Sequence, residues 1–306
     1  MRKMEFNEFE KYVEKNLADH LSGSLLDVEV KLHEVVKNNG MVKHGLEIKQ
    51  NNHAIIIYLE DFFNQYSDAD DEAVLDLILN NISEIALNSK VDQISEKIID
   101  IKKDVDRIVF NVVNTARNTE MLKNIPSRSF LDLSVIYQMV VSSDSNSTTS
   151  FVITNNYAEM MGLTEDELFQ YAAENTMRIY PPVVQTVQSV LMESLKNGGI
   201  PDDIIEVMLG NAQPDMWVVT NTKKINGSSL ILYRNELDKI AMRLGSDLYI
   251  LPSSIHELIV VPSDIGDTQE LRMMVAAVNE NEVPEEELLS DNVYYYDRAT
   301  GKVRIA

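Results

Sequence analysis

The chain has 306 residues, of which 44% are hydrophobic and 25% charged, so its composition is that of a globular protein rather than a disordered or fibrous one. It contains no cysteine, which excludes disulfides, thiolate zinc sites, iron–sulfur ligation and a cysteine nucleophile. The formal net charge of −22 disfavours direct nucleic-acid binding, because neutralising phosphates requires a basic surface.

The acidic residues are concentrated in two parts of the chain. Residues 51–100 hold 11 acids and 2 bases, and residues 251–306 hold 11 acids and 4 bases. Residues 1–50 are nearly neutral, with 9 acids and 8 bases. We therefore expect two acidic patches on an otherwise neutral surface.

The N-terminal segment carries acidic residues where a secretory signal would need an apolar run. The longest apolar stretches, such as residues 55–59, are far shorter than the ~20 residues that span a bilayer. These features predict a soluble cytoplasmic protein that does not associate with membranes.

The first elements are a helix and an antiparallel meander. Apolar residues recur at helical spacing over 6–17, and the pattern then changes to alternation over 28–32, which is typical of a half-buried strand. Asn39-Gly40 follows, the dipeptide favoured in tight hairpin turns with positive φ at both positions. Further apolar residues at 46–48 and 54–59 predict the second and third strands.

Helices come next. The acidic cluster at 68–71 precedes apolar residues at helical spacing over 74–85, where a helix N-terminus would stabilise the carboxylates. Residues 94–105 repeat the helical pattern, and the β-branched run 108–113 predicts a buried strand.

A domain boundary is predicted near residue 126. Residues 124–129 have the composition of a loop and precede a fresh strand over 133–141. We therefore divide the chain into residues 1–125, with the helix, meander and helices, and residues 126–306, an α+β domain.

The second half contains two segments of similar order. Each has a strand, a polar loop, a second strand and a helix that ends at a glycine, over 137–162 and 216–245. The helices end at Gly162 and Gly245, and glycine is favoured at the left-handed position after a helix. We interpret the two segments as ββα-like units, which arise either by duplication or by chance.

The remaining elements are predicted from short patterns of neighbouring residues. Thr164 and Glu167 form a capping box at the start of a helix. Residues 248–251 and 258–261 read as short strands, a capped helix follows Asp267, and the chain ends in a hairpin over 293–306. The expected fold class is α+β, with mostly antiparallel short sheets and flanking helices.

No motif identifies a cofactor. The glycines form neither of the common phosphate-binding patterns, and the five histidines include no pair with metal-ligand spacing. We expect no cofactor and no metal.

The three adjacent tyrosines at 294–296 alternate between the faces of a strand, so at least one ring should point outward, and Trp217 is interpreted as a core residue.

Five polar residues near two loop tips are the candidate site. Ser253, Ser254 and His256 lie together in a turn between two strands, and a serine beside a histidine is the combination used in nucleophilic catalysis. The turn itself is the better explanation, since hydroxyls satisfy backbone groups in tight turns. Asn221 and Asn226, in the preceding loop, complete the set as binding candidates.

Several segments together carry a resemblance to a known family. They include LHEVVKNNG, NTARNTEMLKNIPSRSFLDLSVIYQM, GSSLILYRNELDKIAMRLGSDLYILPSSIHELIVVP and LSDNVYYYD. Over nearly the whole length the chain resembles a family of uncharacterised cytosolic proteins, a domain of unknown function, from anaerobic low-GC Gram-positive bacteria, often encoded near mobile elements. The resemblance implies no activity, cofactor or catalytic residue.

Two functions are compatible with these observations. The first is a non-catalytic interaction protein that uses its acidic surfaces to bind a protein partner, for which a basic partner would be the electrostatic complement. The mobile-element setting suggests an inhibitor or nucleic-acid mimic. The second is a hydrolase with an unrecognised site near the 220–256 loops. A deep pocket that gathers the polar candidates would favour the hydrolase.

Overall fold

The computed structural model describes residues 4–21, 28–50, 53–69, 72–88, 104–143, 148–209, 216–252 and 254–306. The contacts between residues divide the chain into two compact units. The first comprises residues 1–37 and 41–99, and the second residues 38–40 and 100–306. The boundary predicted between 125 and 126 lies inside the second unit, because the strand Ile108–Asn114 pairs along its whole length with the strand Leu133–Ser143.

The first unit is a three-stranded antiparallel sheet with three helices. Its elements are α1 (Phe6–Leu21), β1 (Val28–Val36), β2 (Val42–Gln50), β3 (His53–Tyr58), α2 (Glu60–Ala69) and α3 (Glu72–Asn88), and the strand order is β1-β2-β3. The predicted meander is confirmed. At its first turn both Asn39 and Gly40 have positive φ, 58° and 71°, as the dipeptide predicts.

The core of the first unit forms where α1 packs against β1 and α3. One stripe of α1, from Phe9 to Leu21, is fully buried together with residues of β2 and α3. The predicted helix over 74–85 is confirmed within α3, whereas α2 was not predicted. Most of the predicted helix over 94–105 lies outside the described residues.

The second unit contains two sheets. Its elements are β4 (Ile108–Asn114), α4 (Thr119–Leu122), β5 (Ser127–Phe130), β6 (Leu133–Ser143), β7 (Thr148–Val152), α5 (Asn155–Met161), α6 (Glu165–Ile179), β8 (Pro182–Thr186), α7 (Val187–Asn197), α8 (Asp202–Leu209), β9 (Trp217–Asn221), α9 (Arg234–Leu244), β10 (Leu248–Leu251), β11 (Leu258–Pro262), α10 (Thr268–Asn281), β12 (Tyr294–Asp297) and β13 (Lys302–Ile305). One sheet has the order β4-β6-β5, with β7 also paired to β6, and the other the order β13-β12-β10-β11-β9-β8.

All the described strand pairs are antiparallel, so the predicted α+β class with antiparallel sheets is confirmed. The capping box of Thr164 and Glu167 is present at the start of α6. Residues 127–129, predicted as part of a loop, instead belong to β5, which pairs with β6. Among the described residues, no helix is both long and apolar enough to cross a membrane.

The two similar segments differ in one element. The first contains two antiparallel strands, β6 and β7, and the helix α5, as predicted, and Gly162 and Gly245 both adopt the left-handed conformation after their helices. In the second segment the predicted strand over 229–233 is wrong, because Gly227–Leu232 form a 3₁₀ helix. The N–H groups of Gly227 and Ser228 bond to carbonyls of a distant loop, at His256 and Ile255, rather than to a neighbouring strand.

The helix α10 packs on one face of the six-stranded sheet. Leu271 and Val275 of α10 are buried against Leu251, Val261 and Val293. At the C-terminal hairpin Tyr294 and Tyr296 are fully buried and Tyr295 is half-buried. Trp217 is buried on β9, as predicted.

Candidate functional site

The structure brings four of the five predicted site residues together. Asn221 ends β9, Asn226 precedes the 3₁₀ helix, and Ser254 and His256 lie in the loop between β10 and β11. Ser253 lies outside the described residues. The predicted cluster is therefore a meeting point of two loops.

The first loop is closed by its own backbone. The buried side chain of Asn221 donates to the carbonyl oxygen of Ile225 at 2.7 Å and accepts the N–H of Lys223 at 2.9 Å. Both ends of its amide group are thus used to shape the turn. Such a side chain has little left to offer a ligand.

The two loops are joined at very close range through the backbone of His256. Its carbonyl oxygen accepts the N–H of Gly227 at 3.0 Å and the hydroxyl of Thr220 at 2.8 Å. A Cβ atom at Gly227 would lie 2.4 Å from that carbonyl oxygen, so only glycine fits here. Asn226, with a φ of 53°, turns the chain toward this contact.

The serine and histidine side chains are engaged in the same junction. The hydroxyl oxygen of Ser254 accepts the backbone N–H of His256 at 3.0 Å, and Nδ1 of His256 accepts the N–H of Asn226 at 3.2 Å. Nε2 of His256 lies 3.6 Å from Oε1 of Glu287. Among the described residues, neither ring nitrogen bonds to a serine hydroxyl, so the nucleophile–base contact of a serine hydrolase is absent there.

A second feature was not singled out from the sequence. An open hollow lies between α10 and the sheet, with a cavity volume of about 120 Å³. Its walls are almost entirely apolar, and Met274 at its mouth is 48% exposed. The residues that line it are Met216, Leu251, Pro252, Ile259, Met274, Val275, Val278 and Asn279.

Among the described residues in the wall of the hollow, Asn279 is the one with a polar side chain. Asn279 is 7% exposed, and its Nδ2 donates to the carbonyl oxygen of Ser290 at 3.0 Å and to Oδ1 of Asp291 at 2.9 Å. Its Oδ1 is buried and accepts no hydrogen bond from any residue that the structure describes. A buried acceptor without a donor costs free energy, typically about 1–3 kcal/mol.

The chain around the hollow is strongly acidic. Residues 264–291, which contain α10, hold nine acidic residues and one basic residue, Arg272. Glu270 lies four residues before Met274 on the same face of α10, and Glu282 directly follows the helix, four residues after Val278; both glutamates are exposed. The hollow is thus an apolar spot on an acidic face.

The sequence signal for this hollow was present but ambiguous. Leu271, Met274, Val275 and Val278 recur at helical spacing, and the pattern alone indicates a core-facing stripe. In the structure Leu271 and Val275 are buried, whereas Met274 is exposed and Val278 half-buried. Only the packing of α10 on the sheet distinguishes core residues from the walls of an open hollow.

The other polar clusters of the second unit hold elements together. Asp132 accepts hydrogen bonds from Ser290, Asn292 and Tyr294, and burial raises the pKa of the Tyr294 hydroxyl. Burial, followed by the hydrogen bond to Asp238, raises the pKa of Tyr296 to about 12. Within the described part of the chain, no group of three or more His, Asp or Glu side chains is arranged to hold a metal ion.

Comparison with known proteins identifies the family. Residues 6–298 match the model of a family of unknown function, DUF5688, and the chain belongs to this family. The searches among curated proteins and among solved structures give no match.

Proposed function

We propose that this member of a family without an assigned activity is a non-catalytic binding protein, and that its second unit takes up a basic protein partner on the acidic face of α10. The observation that carries the proposal is the hollow, an open apolar spot bordered on one side by residues 264–291, a segment with nine acidic residues and one basic residue. Apolar anchors surrounded by charge are the usual anatomy of a protein interface.

The charge on this face is available to a partner. Six of the nine acidic side chains have no ion-pair partner among the described residues: Asp264, Asp267, Glu270, Glu280, Glu282 and Glu285. Complementary basic groups would steer the partner to the face and set its register, with the hollow supplying apolar contact. A nucleic-acid mimic would use the carboxylates alone and would have no use for the hollow.

The hydrolase alternative receives less support. It depends on Asn221, Asn226, Ser254 and His256, whose polar groups hold two loops together through short hydrogen bonds. Among the residues that the structure describes, in contrast, the walls of the hollow hold one polar side chain, Asn279, and no titratable residue. It is therefore suited to binding rather than to acid–base chemistry.

A crosslinking experiment in the producing cells tests the proposal. A photoreactive residue replaces Met273, which is 60% exposed on α10, and irradiation should join the protein to its partner. The partner should be lost from the double variant Glu270→Lys/Glu282→Lys. It should remain in the control Glu174→Lys/Glu193→Lys, which makes the same change in net charge at exposed positions of α6 and α7.

Equal capture by all three proteins would contradict the proposal, since the acidic face would then be irrelevant. Equal loss from both double variants would also contradict it, because overall charge rather than this face would decide binding.

A further inference from the structure

The hollow beside α10 restricts what the partner can insert. Its volume of about 120 Å³ is close to that of an engineered apolar cavity of about 150 Å³ that binds benzene. A single six-membered ring therefore fits, whereas a long aliphatic chain or a fused double ring would extend beyond the walls.

The walls favour an aromatic ring. Two of the lining side chains, Met216 and Met274, carry thioethers. Methionine sulfur makes favourable contacts with aromatic rings, often at the ring edge, and its flexible side chain adapts to the shape of the group that it covers.

The unpaired acceptor in the wall favours a ring with a neutral donor. Asn279 Oδ1 is buried without a hydrogen bond from the described residues, while its Nδ2 is already engaged with Ser290 and Asp291. A single neutral oxygen suits a hydroxyl better than an ammonium, since a buried charge would need several acceptors. A phenol supplies both the ring and one O–H donor.

We infer that the hollow is the binding site of a tyrosine side chain of the partner, with basic residues on either side of that tyrosine. The ring lies between Met216 and Met274, the wall opens on binding far enough for the hydroxyl to donate to the buried Asn279 Oδ1, and the flanking cations face the carboxylates of residues 264–291. This inference rests on the proposed function, whose basic partner it makes specific.

Four short capped peptides test it against the full chain. They carry a central tyrosine or phenylalanine, flanked by lysines or by glutamates. Binding is followed by NMR of methionine methyl groups labelled with ¹³C, because Met216 and Met274 line the hollow whereas Met273, 60% exposed, does not. Substitution of each methionine by leucine assigns its signal.

We expect the lysine–tyrosine peptide to bind most tightly and to shift the signals of Met216 and Met274 but not that of Met273. Replacing tyrosine by phenylalanine should weaken binding roughly three- to tenfold, the effect of one net hydrogen bond. Val278→Phe, which fills the hollow, should abolish the shifts, and the matched variant Ala277→Phe on the exposed side of α10 should retain them.

Each other outcome has a distinct meaning. Equal binding of the two lysine peptides overturns the tyrosine inference and leaves the proposed function standing. Equal binding of the two tyrosine peptides, whatever their flanks, overturns the charge argument of the proposed function and leaves the ring site standing. If no peptide shifts Met216 or Met274, both are overturned.

Discussion

Replacing Gly227 by alanine should strongly destabilise the second unit. A Cβ atom at this position would lie 2.4 Å from the carbonyl oxygen of His256 and 2.8 Å from Cα of Thr220, both of which are backbone atoms that cannot rotate away. The two loops must therefore separate. Separation stretches the hydrogen bonds that the Gly227 N–H and the Thr220 hydroxyl donate to His256.

The magnitude follows from these two effects. Overpacking a tight contact costs about 1–3 kcal/mol. Two weakened hydrogen bonds add about 1 kcal/mol each, so the total is about 3–5 kcal/mol of unfolding free energy. With a urea dependence of about 2 kcal/mol/M, the midpoint of unfolding should fall by roughly 2 M.

The single tryptophan provides the assay. Trp217 lies buried on β9, the strand that also carries Thr220, so its fluorescence reports the unfolding of this part of the second unit. Gly266→Ala is the matched control, because no atom lies within 4 Å of a Cβ built there. If Gly227→Ala unfolds at the same urea concentration as Gly266→Ala, the loops are not joined as described and their residues would again be free for other roles.

Three further predictions concern other parts of the chain. Tyr294→Phe removes the hydrogen bond that a buried hydroxyl donates to Asp132 at 2.9 Å. Because the acceptor is a carboxylate, the free energy of unfolding in the same urea assay should fall by about 1.5–3 kcal/mol. No change would mean that this bond is not formed. Gly301→Ala places a side chain at a φ of 66°, where the Cβ would also meet Arg234, and should lower the stability of the C-terminal hairpin by about 1 kcal/mol, measured by hydrogen exchange of β12 and β13. Burial raises the pKa of Glu10 above its ordinary value of 4.5, while His44 acts in the opposite direction. The first unit should therefore lose stability as the pH rises through that raised pKa. Glu10→Gln should reduce this loss in thermal unfolding from pH 4 to pH 8, and an unchanged pH profile would contradict the assignment.

Local chemistry predicted those elements whose cause is local. Gly40 adopts positive φ because it lacks a Cβ atom, Asn39 because asparagine tolerates the left-handed region, and Thr164 caps α6 with its own hydroxyl. Such features depend on a few neighbouring residues, and the sequence contains all of them.

Long-range pairing determines the elements that were predicted wrongly. The apolar run over 229–233 has the composition of a buried strand, but the N–H groups just before it bond to the carbonyls of Ile255 and His256, some 30 residues later, and a 3₁₀ helix results. In the same way β4 joins the second unit because it pairs with β6, which the composition of residues 124–129 could not reveal. The residues of the hollow also depend on long-range packing, since the way α10 lies on the sheet decides whether the Met274 side chain is buried in the core or exposed beside the hollow.

The central claim is that one acidic face, rather than the overall charge of −22, selects a basic partner. It is tested most directly by the affinity of the lysine–tyrosine peptide for three proteins at low salt: the wild type, Glu270→Lys/Glu282→Lys, and Glu174→Lys/Glu193→Lys. We expect reversal on α10 to weaken binding by about tenfold or more, because the charges beside the hollow become repulsive, and reversal on α6 and α7 to leave it nearly unchanged. Equal affinities for the two double variants would contradict the claim.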